Sequence, residues 1–316
     1  MSFSAVSKLG RIIGLALLLL TLGACSLVRL TYEQAPNLAY WWLDGYVDVS
    51  GEQSPKVRDA MERWFAWHRR TQLPEYVALL ARAQREVTEP TTAAALCAWT
   101  GETEKQLDAA LEGAVPAAAE LMLTLTPEQL QHIERRFAKG NEETRADFLQ
   151  ADPTERKAAA LKRTVERFEN LYGRLGDAQR ERLAGLLAKS SFDAERWLAE
   201  RRLRQRELLQ TLATVSSAGR SGGDRAAAVQ QAQAGARLLI ERTTRSPRTD
   251  YRAYQQRLLQ DNCALVATMH NAMSAAQRQS ARAKLKGWEE DLRSLMAAGG
   301  SGGSGSSGAN NAAASR

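Results

Sequence analysis

The sequence predicts an all-α protein, an elongated multi-helix bundle of capped helical hairpins, and three observations predict it. First, Ala, Leu, Arg, Gln and Glu dominate a chain of 316 residues with sparse β-branched residues and only 8 Pro. Those residue types lose little freedom in a helix, whereas strands favour β-branched and aromatic side chains. Second, apolar residues recur at steps of three and four. Third, one helix-start signature appears four times. The hydrophobic share of 44% and the charged share of 25% are those of a folded body with a core.

Residues 1–24 read as a secretory signal, with Lys8 and Arg11 ahead of an apolar run from Ile12 to Leu22. That run is about 11 residues long, against the roughly 20 needed to span a bilayer. It ends in Leu22-Gly23-Ala24-Cys25, which resembles the bacterial lipobox. The resemblance implies cleavage before Cys25, lipid on its sulfur and acylation of the new amino group. Residues 25–36 then form a lipidated tether. Ser26, where an Asp would imply retention at the inner membrane, points to the outer membrane, with the protein facing the periplasm.

Lys and Arg number 43 against 36 Asp and Glu, and two of the basic residues lie in the signal, leaving +5 for the mature chain. The excess is dispersed among opposite charges, as in Glu195-Arg196 and Glu200-Arg201-Arg202. A dispersed charge of this size describes a solvated surface rather than a nucleic-acid groove. The expected partners are the membrane, through the lipid, and unfolded or envelope proteins.

Between tether and tail, residues 37–297 read as one all-helical domain. Helices are expected at 37–46, 53–72, 74–88, 92–112, 116–123, 127–150, 154–174, 177–215, 224–244, 248–271 and 275–297. Leu161, Val165, Phe168, Tyr172 and Leu175 trace one helical face. Leu183, Leu187, Ala194 and Leu198 extend the pattern, followed by Leu208, Leu209 and Leu212. Leu259, Cys263, Val266 and Met273 repeat it. Pro74, Pro116, Pro127, Pro153 and Pro247 suit helix starts or kinks. Ser217 to Asp224 reads as an internal loop. Residues 298–316, rich in Gly, Ser, Ala and Asn, have no apolar face to bury and read as a disordered tail.

The recurring start is an apolar residue, a small or hydroxyl residue, two more residues, then Gln. Its copies are Val49-Ser50-Gly51-Glu52-Gln53, Leu125-Thr126-Pro127-Glu128-Gln129, Leu175-Gly176-Asp177-Ala178-Gln179 and Met273-Ser274-Ala275-Ala276-Gln277. In a capping box the hydroxyl accepts from the N3 amide while the Gln reaches back to the N-cap amide. Gly176 has no hydroxyl and supplies only half of one. Val57/Met61, Ile133/Phe137, Leu183/Leu187 and Ala281/Leu285 follow at equal offsets and belong on buried faces. Four independently capped helices and a true internal repeat both fit the pattern.

The Leu125-Thr126-Pro127-Glu128-Gln129 string resembles the Leu-Thr-x-x-Gln motif of small periplasmic helical chaperones. In those proteins paired motifs sit on helical hairpins that cradle unfolded clients. Over the mature chain, Tyr40-Trp41-Trp42-Leu43-Asp44-Gly45-Tyr46-Val47-Asp48 and Trp67-His68-Arg69-Arg70-Thr71-Gln72-Leu73-Pro74-Glu75-Tyr76 resemble an uncharacterised family of proteobacterial all-helical lipoproteins. That resemblance implies the fold and the lipid, and carries no catalytic residues with it.

The aromatic residues Trp41, Trp42, Tyr46, Trp64 and Trp67, with His68, Arg69 and Arg70, form the candidate binding groove. They read either as packed helix faces or as an open groove for an apolar peptide or lipid. Arg69 or Arg70 could pair with Asp44, Asp48 or Glu75, and His68 with Asp48 could orient as a base. His132 and His270 lack a second ligand at helical spacing, so no metal site and no cofactor is expected. Cys97 and Cys263 read as a disulfide in an oxidising compartment, or as two separate buried thiols. The leading functional reading is a non-enzymatic envelope lipoprotein that binds proteins or maintains the envelope, with chaperone-like client binding as its sharpest form. An envelope enzyme using the His68/Arg69/Arg70 region and a structural spacer are the alternatives.

Overall fold

The computed structural model describes residues 31–300, and every regular element among them is helical. The signal, Cys25 and residues 301–316 of the tail lie outside the described residues. The helices are α1 (Ala35–Val47), α2 (Ser54–Thr71), α3 (Leu73–Glu86), α4 (Ala93–Thr124), α5 (Pro127–Phe148) and α6 (Pro153–Tyr172), then α7 (Asp177–Leu187), α8 (Ala194–Arg220), α9 (Arg225–Thr244), α10 (Thr249–Asn271) and α11 (Ala275–Gly300). The first helix begins inside the stretch assigned to the tether, and the last runs past residue 297. No single described helix is long and apolar enough to cross a membrane.

Local chemistry starts these helices as the sequence implies. Thr92, Asp152, Asp193 and Asp224 each accept an amide of the first turn at 2.8–3.1 Å. Pro74, Pro127 and Pro153 sit in first turns, where a missing N–H costs nothing. At Thr126 the chain swings by 116° between α4 and α5.

Four expectations are corrected. Residues 92–112 and 116–123 form one helix running through Pro116, because Val115 and Ala119 on either side are buried and hold it in line. The stretch 177–215 is broken after Leu187. There Asp261 binds the Ser191 amide, and Asp193 caps a new helix while its own amide donates to the Tyr254 hydroxyl. The loop expected from Ser217 remains helical to Arg220, since Ser216 is fully buried and Gly219 abuts the backbone of Leu123. Leu259, assigned to a buried stripe, is exposed.

Two apolar cores result. Core one joins Val47 of α1, Val115, Ala119, Met122 and Leu123 of α4, Leu125 and Ile133 at the start of α5, and Leu212, Val215, Ala232 and Ala236 of α8 and α9. Core two joins Val165, Phe168 and Tyr172 of α6, Leu175 and Leu183 around α7, and Leu265, Met269, Met273, Ala281 and Leu285 of α10 and α11, with Val87 beyond α3. α4 packs on α8, α9 and α10, and α11 packs along α3. Cys97 of α4 and Cys263 of α10 form a disulfide, with Cα atoms 5.6 Å apart.

Candidate functional site: paired helix starts and an outward aromatic face

Each core is organised by two of the four helix starts. In the first pair, Gln53 Oε1 accepts the Ser50 amide and Gln129 Oε1 accepts the Thr126 amide, both at 3.0 Å. The hydroxyls of Ser50 and Thr126 accept the amides of Gln53 and Gln129 in return, both at 3.3 Å. The side-chain amides then cross. Gln129 Nε2 donates to Gln53 Oε1 at 2.7 Å, and Gln53 Nε2 to Gln129 Oε1 at 3.3 Å. Gln129 also donates to the Asp48 carbonyl at 2.8 Å, and Gln53 to the Thr124 carbonyl at 3.0 Å. Asp48 has a left-handed φ of 58°, which turns the chain after α1.

The second pair reproduces the first. Gln179 Nε2 donates to Gln277 Oε1 at 2.8 Å, and Gln277 Nε2 to Gln179 Oε1 at 3.0 Å. Gln179 donates to the Ala272 carbonyl at 2.9 Å, and Gln277 to the Arg174 carbonyl at 3.0 Å. In all four cases the carbonyl lies five positions before the partner Gln. Gly176 gives only the half-box expected of a residue without a hydroxyl, through its amide on Gln179 Oε1 at 3.0 Å. The starts are therefore two matched crossings of hairpins, and Val57, Ile133, Leu183 and Ala281 are buried one turn beyond each.

The aromatic residues do not form one groove. Trp64, Trp67 and His68 of α2 pack with Tyr32, Phe65 and Tyr76. Trp64 donates to the Ala110 carbonyl at 3.1 Å, and Trp67 fills the space a Cβ would need at Gly113. His68 stacks on Trp64, with Tyr32 Oη 2.9 Å from Nδ1 and Tyr76 Oη 3.3 Å from Nε2. Burial depresses its pKa, so the ring is a neutral joint among tyrosines. Arg69 lies over the Tyr32 ring, and Arg70 is exposed. Neither forms an ion pair with Asp44, Asp48 or Glu75 among the described residues, and Asp44 accepts the Val49 amide instead.

Tyr46 joins core one beside Phe137, with Trp42 against its ring. Trp41 and Trp42 are 63% and 66% exposed, and Leu38 is exposed beside them. This outward face of α1 is separate from the His68 cluster.

Sequence reasoning missed a buried ionic junction. Glu200 of α8 accepts both Nε and Nη2 of Arg248 at 2.6 Å and the Ser246 hydroxyl at 2.8 Å. Burial pushes this carboxyl up, but the Arg248 and Ser246 hydrogen bonds and the charges of Arg248 and Arg204 outweigh it and hold it below the usual range. His270, also buried, donates from Nε2 to the Glu89 carbonyl at 2.7 Å, so its Nδ1 accepts from Tyr172 Oη at 2.8 Å. Burial, with the nearby Arg278, lowers the His270 pKa, and it pushes the Tyr172 hydroxyl up to about 12. His132 donates from Nε2 to the Gly45 carbonyl. No cluster of metal-ligating side chains occurs among the described residues.

Among the depressions on the described surface, one lies between α7 and α10 and one between α8 and α9. The first, of about 150 Å³, is lined by Leu186, Lys189, Ser190, Asp261, Leu265 and Thr268. The second, of about 400 Å³, has Val215 and Leu238 among Thr211, Thr214, Glu207 and Arg242. Residues 45–222 match a family of unknown function, DUF6279. No curated protein and no solved structure matches the chain.

Proposed function

This chain belongs to the DUF6279 family, and we propose that it is a lipid-anchored envelope protein that holds extended or unfolded segments of other proteins. In this reading Cys25 carries the lipid, the outer membrane is the anchor and the helices face the periplasm. The observation that carries the reading is the pairing of Gln53 with Gln129 and of Gln179 with Gln277. It supports the resemblance to periplasmic chaperones, whose paired motifs likewise sit on hairpins.

The open groove between α8 and α9 is the place for a client. Leu238, exposed on its wall, suits a hydrophobic side chain. The Thr211 and Thr214 hydroxyls, which donate to the Glu207 and Gln210 carbonyls, remain free to accept from a peptide N–H, and the Gln210 side chain can donate. The test is suppression of aggregation of a denatured client by the mature chain, with an envelope pull-down beside it. Leu238→Arg, at an exposed position, should reduce binding while circular dichroism stays unchanged. Absence of both suppression and pull-down overturns the reading.

A further inference from the structure

The outward face of α1 has a composition unlike the rest of the surface. At about 100° per residue, Leu38, Trp41, Trp42 and Gly45 share one arc, opposite the buried Tyr40 and Val47. The arc contains no charged residue. An added Cβ at Gly45 would meet nothing within 4 Å, while His132 of α5 borders that end of the arc through the Gly45 carbonyl. At the edge of the arc, Arg136 stands 5.3 Å from the Tyr46 ring centre.

We propose that this face lies in the headgroup layer of the bilayer that anchors Cys25, with Trp41 and Trp42 inserted side by side. The proposal rests on the lipoprotein reading and adds an orientation to it. Tyr32 is held to His68, so a fixed point of the fold lies seven positions after Cys25, at most about 25 Å of chain. Leu27, Val28 and Leu30 on that stretch are themselves apolar. Trp is suited to the membrane interface because its ring is apolar and its N–H remains hydrated there. Arg136 is positioned to meet headgroup phosphates.

Area argues against a second copy as the occupant. Two Trp at two-thirds exposure and a half-exposed Leu present roughly 400 Å², so a symmetric pair would bury about 800 Å², below the roughly 1,200 Å² of a stable interface. A bilayer sets no such threshold, because the lipid at Cys25 already confines the face near it.

The experiment couples the thiol of Cys25, in the chain from Cys25 to Arg316, to a maleimide lipid in phosphatidylethanolamine/phosphatidylglycerol vesicles. The other two cysteines are in the disulfide. Brominated acyl chains should quench part of the tryptophan fluorescence, and Trp41→Ala/Trp42→Ala should remove that part while leaving the helical spectrum unchanged. Equal quenching in the double variant, or none in the parent chain, overturns the docking. So does a concentration-dependent dimer, or a bound denatured client, that shields Trp41 and Trp42 from iodide when vesicles leave them unquenched. Mass spectrometry of the native protein is read separately. An unacylated Cys25 overturns the lipoprotein reading and the docking with it, whereas an acylated Cys25 with unquenched tryptophans overturns the docking alone.

Discussion

Gln53 and Gln129 stand 76 positions apart, and each side-chain amide donates to the carbonyl oxygen of the other. Both are buried, and each also closes its own capping box and donates to one carbonyl where the helix preceding its partner ends, Asp48 after α1 or Thr124 of α4. Gln129→Glu keeps the shape and removes both donors, placing a carboxylate against the Asp48 carbonyl and Gln53 Oε1. Denaturant titration should show a loss of about 3 kcal/mol or more, partly recovered as pH falls toward about 4, because burial against two oxygens raises the new carboxyl above its unfolded value and the folded state takes up the proton first. An unchanged midpoint would mean that the crossing contributes nothing.

Two glycines should respond oppositely to the same change. An added Cβ at Gly219 runs into the Leu123 carbonyl, a backbone atom that has no rotamer to escape through. Gly219→Ala should therefore cost about 1–3 kcal/mol. Gly185, inside α7, has open space around its missing Cβ. Gly185→Ala should stabilise by up to about 1 kcal/mol. Thermal melts of the two variants, read side by side, check the sign.

The disulfide between Cys97 and Cys263 closes a sequence separation of 166. Loop-closure entropy sets its contribution at about 5 kcal/mol at most. Reduction, or Cys97→Ser/Cys263→Ser, should lower the melting temperature without changing the helical spectrum at low temperature. An unshifted melt would show that the α4–α10 contact is held by packing alone.

His270 gives the protein a pH dependence of definite sign. Its folded pKa lies below the ordinary 6.5 because of burial, and the ring bridges Tyr172 and the Glu89 carbonyl as a neutral group. The unfolded chain takes up its proton first as pH falls. The stabilisation is thus complete above about pH 6.5 and declines below it until the folded ring also protonates. His68, depressed by burial as well, adds in the same direction. Stability measured from pH 7.5 to 5 should fall, and His270→Gln should flatten part of the slope.

Helix positions were legible because their signals are local. Period, cap and proline sit within a few residues of the element they specify, as at Thr126 and Pro153. The errors arose where a distant partner decided the outcome. Pro116 is carried through α4 by buried neighbours, and Tyr254 helps to fix the break before α8. The capping role of each Gln could be read from its own pentapeptide, but its second bond could not, since the partner lies on another hairpin. The aromatic residues cluster in sequence yet divide in space, because Trp64 and Trp67 face α4 while Trp41 and Trp42 face outward.

The packing of α11 along α3 also bears on how the chain is made. Gln84 meets Glu289 only after a further 205 positions, and Arg278 closes on the Thr88 carbonyl across 190. A chain emerging N-terminus first could complete core one once Ala236 had appeared, yet the face of α3 that meets α11 would stay bare until that helix arrived. The last described helix is therefore a closing element, and a stop codon ahead of Ala275 would leave the face of α3 uncovered from birth.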